Sequence, residues 1–262
     1  MQHSTGYIVG FAVAICLVCA LFVAGAAVGL KDLQDANILL DRQKKVLTVA
    51  GLMEDGDNLP REEIVATFDS SIHQKVIDLK TGALNTDIDV TSFDQQAAAK
   101  DPNTSRVAPE NASKVRRLPN NALVFDVVEN GKLKSMILPI EGYGLWGTLH
   151  GYIALAPDAR TIVGITFYSH KETPGLGGEV DNPRWKARWP GRLAFNERGK
   201  PVISVKKGMA GSVEDDPYQV DGLSGATITS RGVTALLRFW LGDDGFGPYL
   251  ARYRTEAGIA GT

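Results

Sequence analysis

No charged residue occurs between Ser4 and Leu30. From Gly6 to Leu30 the run is rich in Ile, Val, Leu, Phe and Ala. About 20 such residues in helical form span the hydrocarbon core of a bilayer. A segment of this kind has few choices, because only a helix satisfies its own backbone polar groups inside lipid. Gly10, Gly25 and Gly29 would let another helix come close. Ala24-Gly25-Ala26 matches a small-x-small cleavage site. Against cleavage, Met1 to Thr5 carries no Lys or Arg, and the apolar run exceeds the length of a signal h-region. Residues 1–30 are therefore expected to be a retained transmembrane anchor. Cys16 and Cys19, the two cysteines of the chain, both lie within it and read as small apolar membrane residues.

After the anchor come Lys31, Arg42, Lys44 and Lys45. The positive-inside rule alone puts the following domain in the cytoplasm, but that rule weakens before a long domain. No comparable apolar run follows, so the rest is expected to be soluble once the anchor is removed. With 28 basic and 30 acidic residues the net charge is −2, which gives no electrostatic case for nucleic acid. The absence of cysteine beyond Cys19 excludes a disulfide or a thiolate-held iron–sulfur cluster there.

Residues 31–120 read as a helical region. Leu39, Leu40, Val46, Leu47 and Ala50 make an apolar stripe over Asn37 to Ala50, stopped by Gly51. Pro60 to Phe68 reads as a second helix, and Thr91 to Arg117 as a helix followed by a surface loop. Residues 121–262 look different. Ala122 to Val128 and Lys132 to Leu138 flank Asn130-Gly131, a strong hairpin signal. Gly147 to Leu155 and Thr161 to Ser169 flank Pro157-Asp158, giving a second antiparallel pair. Pro201 to Lys206 is a further strand candidate. At the C-terminal side, Val233, Leu236, Leu237 and Trp240 fall on one helical face, with Gly242 as the stop. The expected class is α+β: an N-terminal transmembrane helix, then a largely antiparallel sheet with packed helices. The one G-x-G-x-x-G, Gly142 to Gly147, leads into another β-prone run and not into a helix, so a Rossmann domain for NADH is not expected here.

Just ahead of that last helix lies Asp221-Gly222-Leu223-Ser224-Gly225-Ala226-Thr227-Ile228-Thr229-Ser230. A small, flexible loop thus delivers hydroxyls to a helix N-terminus, where free N–H groups and the helix dipole favour a phosphate. The plain alternative is a hydroxyl-rich loop that only caps a core helix. Two glycine-dense loops accompany it: Glu141-Gly-Tyr-Gly-Leu-Trp-Gly147, with Gly144, Leu145 and Trp146, and His170-Lys-Glu-Thr-Pro-Gly-Leu-Gly-Gly178, with Thr173, Pro174, Gly175, Leu176 and Gly177. As ordinary turns, they would leave Trp146 and Leu176 to close the core. His170 and Glu172 are the one tempting titratable pair, and a solvated or structural role is expected for them.

The string Asp-x-x-Ser-Gly-Ala-Thr-x-Thr, at Asp221, Ser224, Gly225, Ala226, Thr227 and Thr229, resembles the acceptor motif of covalent FMN-binding domains. The resemblance implies FMN in phosphoester linkage to Thr229, attached by a flavin transferase with FAD as donor. It also implies that the two glycine loops help enclose the flavin ring. Over most of its length the chain looks closest to the C-subunit family of the bacterial Na+-translocating NADH:quinone oxidoreductases. That likeness implies a six-subunit inner-membrane translocase, with the A, B, D, E and F subunits as partners. In such a complex this chain would relay single electrons from a membrane iron–sulfur centre to the FMN of the B-type subunit, with sodium export, from a periplasmic domain. Three alternatives stay open. One is the G-type subunit of the related ferredoxin:NAD electron-transport complex, which lacks so long a region before the hairpins. Another is the flavin domain of a nitrous oxide respiration regulator, which needs further spans and iron–sulfur cysteines. The third is an anchored scaffold in which the Ser224 to Thr229 hydroxyls serve only as a cap.

Overall fold

A computed structural model describes residues 4–259. The first three residues of the expected anchor and the last three of the expected flavin domain lie outside the described residues. The chain divides into two units, residues 1–42 and 43–262.

The first unit holds helix α1, Thr5–Gly29, and helix α2, Lys31–Val49, as far as Arg42. Ser4 caps α1 by accepting from the backbone N–H of Tyr7. No residue of α1 is buried, and its apolar side chains run all round the helix. Among the described residues it is the one helix long and apolar enough to cross a membrane. Cys16 and Cys19 sit on it as free thiols.

The second unit is built on a five-stranded antiparallel sheet in the order β1-β4-β5-β6-β7. Its strands are β1 (Ile72–Asp78), β4 (Asn121–Glu129), β5 (Lys132–Tyr143), β6 (Thr148–Leu155) and β7 (Ile162–Ser169). The β4–β5 hairpin turns on Asn130 and Gly131, both left-handed with φ of 52° and 72°. That is the demand of a two-residue turn whose twist matches the flanking strands. Between β6 and β7, Asp158 accepts from Arg160 N, Thr161 N and Thr161 Oγ1. Burial pushes its carboxyl up, but the hydrogen bonds from Thr161 and Arg160 outweigh this and hold it below the usual value.

Alternation along β5 separates two cores. Met136, Leu138 and Ile140 face the larger one, which includes Val233, Leu236, Leu237 and Trp240 of helix α6, Thr227–Trp240. On the other face Phe125 meets Phe68 edge-on, from helix α3, Arg61–Ser71. The helical stripe read from the sequence is thus the face of α6 that is buried, each of its four residues at 1% exposure or less. Gly142 and Gly232 let the helix come down onto the end of β5. A Cβ at Gly142 would stand 2.5 Å from Leu236 Cβ, and one at Gly232 would stand 2.5 Å from Tyr143 O.

Several expectations need correction. Residues 31–120 are not only helical: β1 pairs with β4 along seven residues, so the division at 120/121 falls within one sheet. The stretch from Thr91 to Arg117 contains helix α4, Gln95–Lys100, and then strand β2, Ser105–Val107, which pairs with β3, Arg117–Pro119. Of Pro201 to Lys206 only β8, Ser204–Val205, is strand, and it runs parallel to β9, Gln219–Val220. Gly242 does follow the end of α6, whose C-cap is Leu241, but without a left-handed φ. The two remaining helices are α5, Pro183–Lys186, and α7, Gly247–Glu256.

Candidate functional site

Three turns meet at the N-terminus of α6. The first, Gly144–Gly147, joins β5 to β6 and is closed by Gly144 N donating to Gly147 O at 2.8 Å. So tight a loop leaves the N–H groups of Leu145 and Trp146 without a carbonyl of their own. Both donate instead to Glu172 Oε1, at 2.9 Å each. Gly144 is needed here because a Cβ would stand 2.6 Å from that oxygen.

Glu172 comes from the second turn, which follows β7. Thr173 O accepts from Leu176 N at 3.1 Å and from Gly178 N at 2.9 Å. Pro174 and Gly175 fill the middle of this turn, Gly175 at φ 76°, where proline fixes one position and glycine relieves the next. Leu176 then projects outward, and a 3-10 turn, Gly177–Asp181, carries the chain away. Of the solvated or structural role expected for Glu172, the solvated one does not hold: the residue is only 5% exposed. His170 is half-buried, and its Nδ1 has no hydrogen-bond partner among the described residues.

The third turn is the Ser-Gly-Ala-Thr loop. Trp185 Nε1 donates to Asp221 O at 2.9 Å, while the Asp221 carboxylate accepts from Ala210 N at 2.8 Å and pairs with Arg188. Asp221 is therefore fully engaged in shaping the loop. Gly225 is left-handed at φ 69°, beneath Leu176, whose Cδ2 would stand 2.9 Å from a Cβ there. Ala226 is the N-cap of α6 and no side chain caps the helix. The reading in which these hydroxyls serve as a cap is thus not what the chain does. Ser230 Oγ instead accepts from Leu223 N at 3.1 Å, tying the loop back on itself. The first-turn N–H groups are left to whatever approaches the helix end.

The three hydroxyls differ sharply. Ser224 and Thr227 are exposed, whereas Thr229 is fully buried. Thr229 Oγ1 donates to Glu172 Oε2 at 2.5 Å, so one carboxylate links all three turns. Around this buried pair stand Leu145, Trp146, Leu176 and Ile228, at 39–63% exposure. Trp146 and Leu176 do not close the core, as ordinary turn residues would. Four exposed apolar side chains gathered at one helix end, over a buried hydroxyl, suit a flat, largely apolar ligand with a phosphate tail. FMN has that form, and glycines at 144, 175, 177 and 225 keep the approach to it free of side chains.

Glu172 as the organiser of the site was not readable from the sequence. Its partners lie 26, 27 and 57 residues away, and the one signal was its place beside the Thr-Pro-Gly turn.

Comparison with known proteins agrees with this geometry. Residues 144–242, which hold all three turns and α6, match the family described as FMN-binding domain. The chain is 46% identical over 259 residues to the C subunit of the Na(+)-translocating NADH-quinone reductase of Pseudomonas aeruginosa, covering 97% of each. It is 42% identical over 251 residues to the protein of the same name from Vibrio campbellii, covering 94% of each. The crystal structure of Shewanella oneidensis NqrC superposes with a TM-score of 0.75 at 36% identity, over 82% of this chain and 97% of that one. With identity at this level over nearly the whole length, the chain belongs to the family of Na(+)-translocating NADH-quinone reductase C subunits.

Proposed function

We propose that the chain is the anchored flavin carrier of such a reductase, holding FMN in phosphoester linkage to Thr229. The observation that carries this reading is the buried Thr229 hydroxyl at the uncapped N-terminus of α6, ringed by exposed apolar side chains. When bound there, FMN supplies single-electron chemistry, between a membrane iron–sulfur centre and the FMN of the B-type partner. The residues of this chain do the rest. First-turn N–H groups of α6 receive the phosphoester, with the helix dipole in their favour. Trp146, Leu176 and Pro174 pack against the ring and exclude water from it. Backbone donors of the Gly175 to Gly178 turn other than Leu176 N and Gly178 N, which bond to Thr173 O, adjust its potential.

In this reading the A, B, D, E and F subunits are the partners, NADH, quinone and sodium are handled by them, and sodium export is the outcome. A flavin transferase matures the chain, using FAD. Covalent attachment is tested by the absorbance of the denatured, desalted protein after expression beside the transferase. A flavin spectrum is expected; a colourless chain removes the reading.

In the same reading the anchor holds the chain in the inner membrane, with the large domain on the periplasmic side, since a long following domain overrides the charges at Lys31 to Lys45. Protease added to intact spheroplasts should digest the domain. Protection until lysis would reverse the orientation.

Leu176→Glu should shift the flavin potential to a more negative value while leaving attachment intact. A carboxylate beside the ring disfavours added negative charge, and the half-exposed position screens the effect without removing it. An unchanged redox titration would take Leu176 out of the site.

A further inference from the structure

Glu172 has no role in the electron transfer proposed above, yet its carboxylate joins the three turns of the site. A carboxylate only 5% exposed is costly to bury unless it is hydrogen-bonded. Here Leu145 N and Trp146 N hold Oε1 at 2.9 Å each, and Oε2 faces the Thr229 hydroxyl at 2.5 Å. Among the described residues no cation pairs with Glu172. The carboxylate therefore has an oxygen free of any charge partner, aimed at one hydroxyl. Gly177 keeps that contact open, since a Cβ there would stand 2.5 Å from Oε2 and 2.6 Å from Thr229 Oγ1.

We propose that Glu172 is the general base of flavin attachment, taking the proton of the Thr229 hydroxyl. The proposal rests on the covalent linkage read above and adds the group that activates its nucleophile. A threonine hydroxyl is a weak nucleophile at neutral pH and needs an adjacent base. Thr229 Oγ1 attacks the FMN-side phosphorus of the FAD pyrophosphate. The new O–P bond forms as the P–O bond to AMP breaks, and AMP leaves with that electron pair. The hydroxyl proton passes to Glu172 Oε2 and then to solvent, with no change of oxidation state. The same contact explains the choice of hydroxyl, because Ser224 and Thr227 are exposed and neither makes a hydrogen bond to Glu172. Thr229 itself is fully buried, so one of the three turns must open for the transferase and FAD to reach it.

The test uses the full-length chain in detergent, purified flavin transferase and FAD, in single-turnover reactions. Attached FMN is counted by mass spectrometry of the tryptic peptide Gly208 to Arg231. Glu172→Gln keeps the shape: its amide oxygen still accepts from Leu145 and Trp146, while its NH₂ faces Oγ1 and takes no proton. The maximum attachment rate should fall about 10²-fold or more, as expected for loss of a general base. The half-saturating concentration of acceptor chain should stay within about twofold, since ground-state recognition is untouched. Glu172→Asp covers the case in which the Gln variant does not fold. It keeps the charge but withdraws the oxygens by one methylene, and its maximum rate should fall at least about tenfold. A full maximum rate in either folded variant, or a loss confined to the half-saturating concentration, overturns the proposal. Failure of the wild-type chain to take FMN on Thr229 would instead overturn the linkage itself.

Discussion

Thr229→Ala is expected to give a folded, anchored chain with no flavin that survives denaturation. The substitution removes, of the hydroxyls at Ser224, Thr227 and Thr229, the one held against a carboxylate, Thr229 Oγ1 on Glu172 Oε2. Ser224 and Thr227 remain, but both are exposed and neither bonds to Glu172, so neither should take over. The cost to the fold is modest. Glu172 loses one of three partners and keeps Leu145 N and Trp146 N, which puts the loss at about 1–3 kcal/mol. Domains of this size hold about 5–15 kcal/mol of stability, so the fold survives. Thr229→Ser should retain part of the attachment, because the nucleophilic oxygen is kept. Tandem mass spectrometry of the tryptic peptide Gly208 to Arg231 locates the group directly. FMN on Thr227, or flavin fluorescence in the denatured Thr229→Ala chain, would sink the assignment.

Trp240→Ala should be the most damaging single truncation near the site, at about 3–5 kcal/mol. Trp240 is 1% exposed, lies against Phe246 with ring centroids 5.7 Å apart, and donates from Nε1 to Glu141 O at 2.6 Å. That bond ties the last turn of α6 to the strand leading into the Gly144–Gly147 turn. Its loss adds an unpaired carbonyl to a large cavity, so the loss of packing reaches the site as well. Trp146→Ala is the contrasting control. Trp146 is 63% exposed and its side chain supports no core, so stability should change by no more than about 0.5 kcal/mol. Urea titration of both variants checks the pair. Near-equal midpoints would mean that α6 is not anchored through Trp240.

Features that depend on near neighbours were legible in the chain. Asn130-Gly131 dictated its hairpin because two consecutive left-handed residues close such a turn at little strain. The first helix was legible from an uncharged apolar run, and the buried face of α6 from four apolar residues at helical spacing. The motif around Thr229 was legible as a string, though composition did not choose among its hydroxyls.

Other elements were not legible, for reasons that can be named. Strand β1, with the sequence Ile-His-Gln-Lys-Val-Ile-Asp, alternates poorly and exists because β4 offers it an edge across some forty residues of chain. Strands β8 and β9 are two residues each, too short for any periodicity, and pair only because the loops carrying them are held together. Sequence by itself determined the N-terminal apolar helix, the antiparallel hairpins, the amphipathic helix and the string around Thr229, since each is written in residues within a few positions of one another. Tertiary structure alone decided which hydroxyl is buried, which carboxylate faces it, and which apolar side chains stand exposed around it. Those properties arise where turns distant in sequence meet. A short backbone turn at Leu145 and Trp146 has N–H groups it cannot satisfy internally, and a buried carboxylate needs such donors. Only when the sheet and α6 bring the two together does Glu172 come within reach of Thr229.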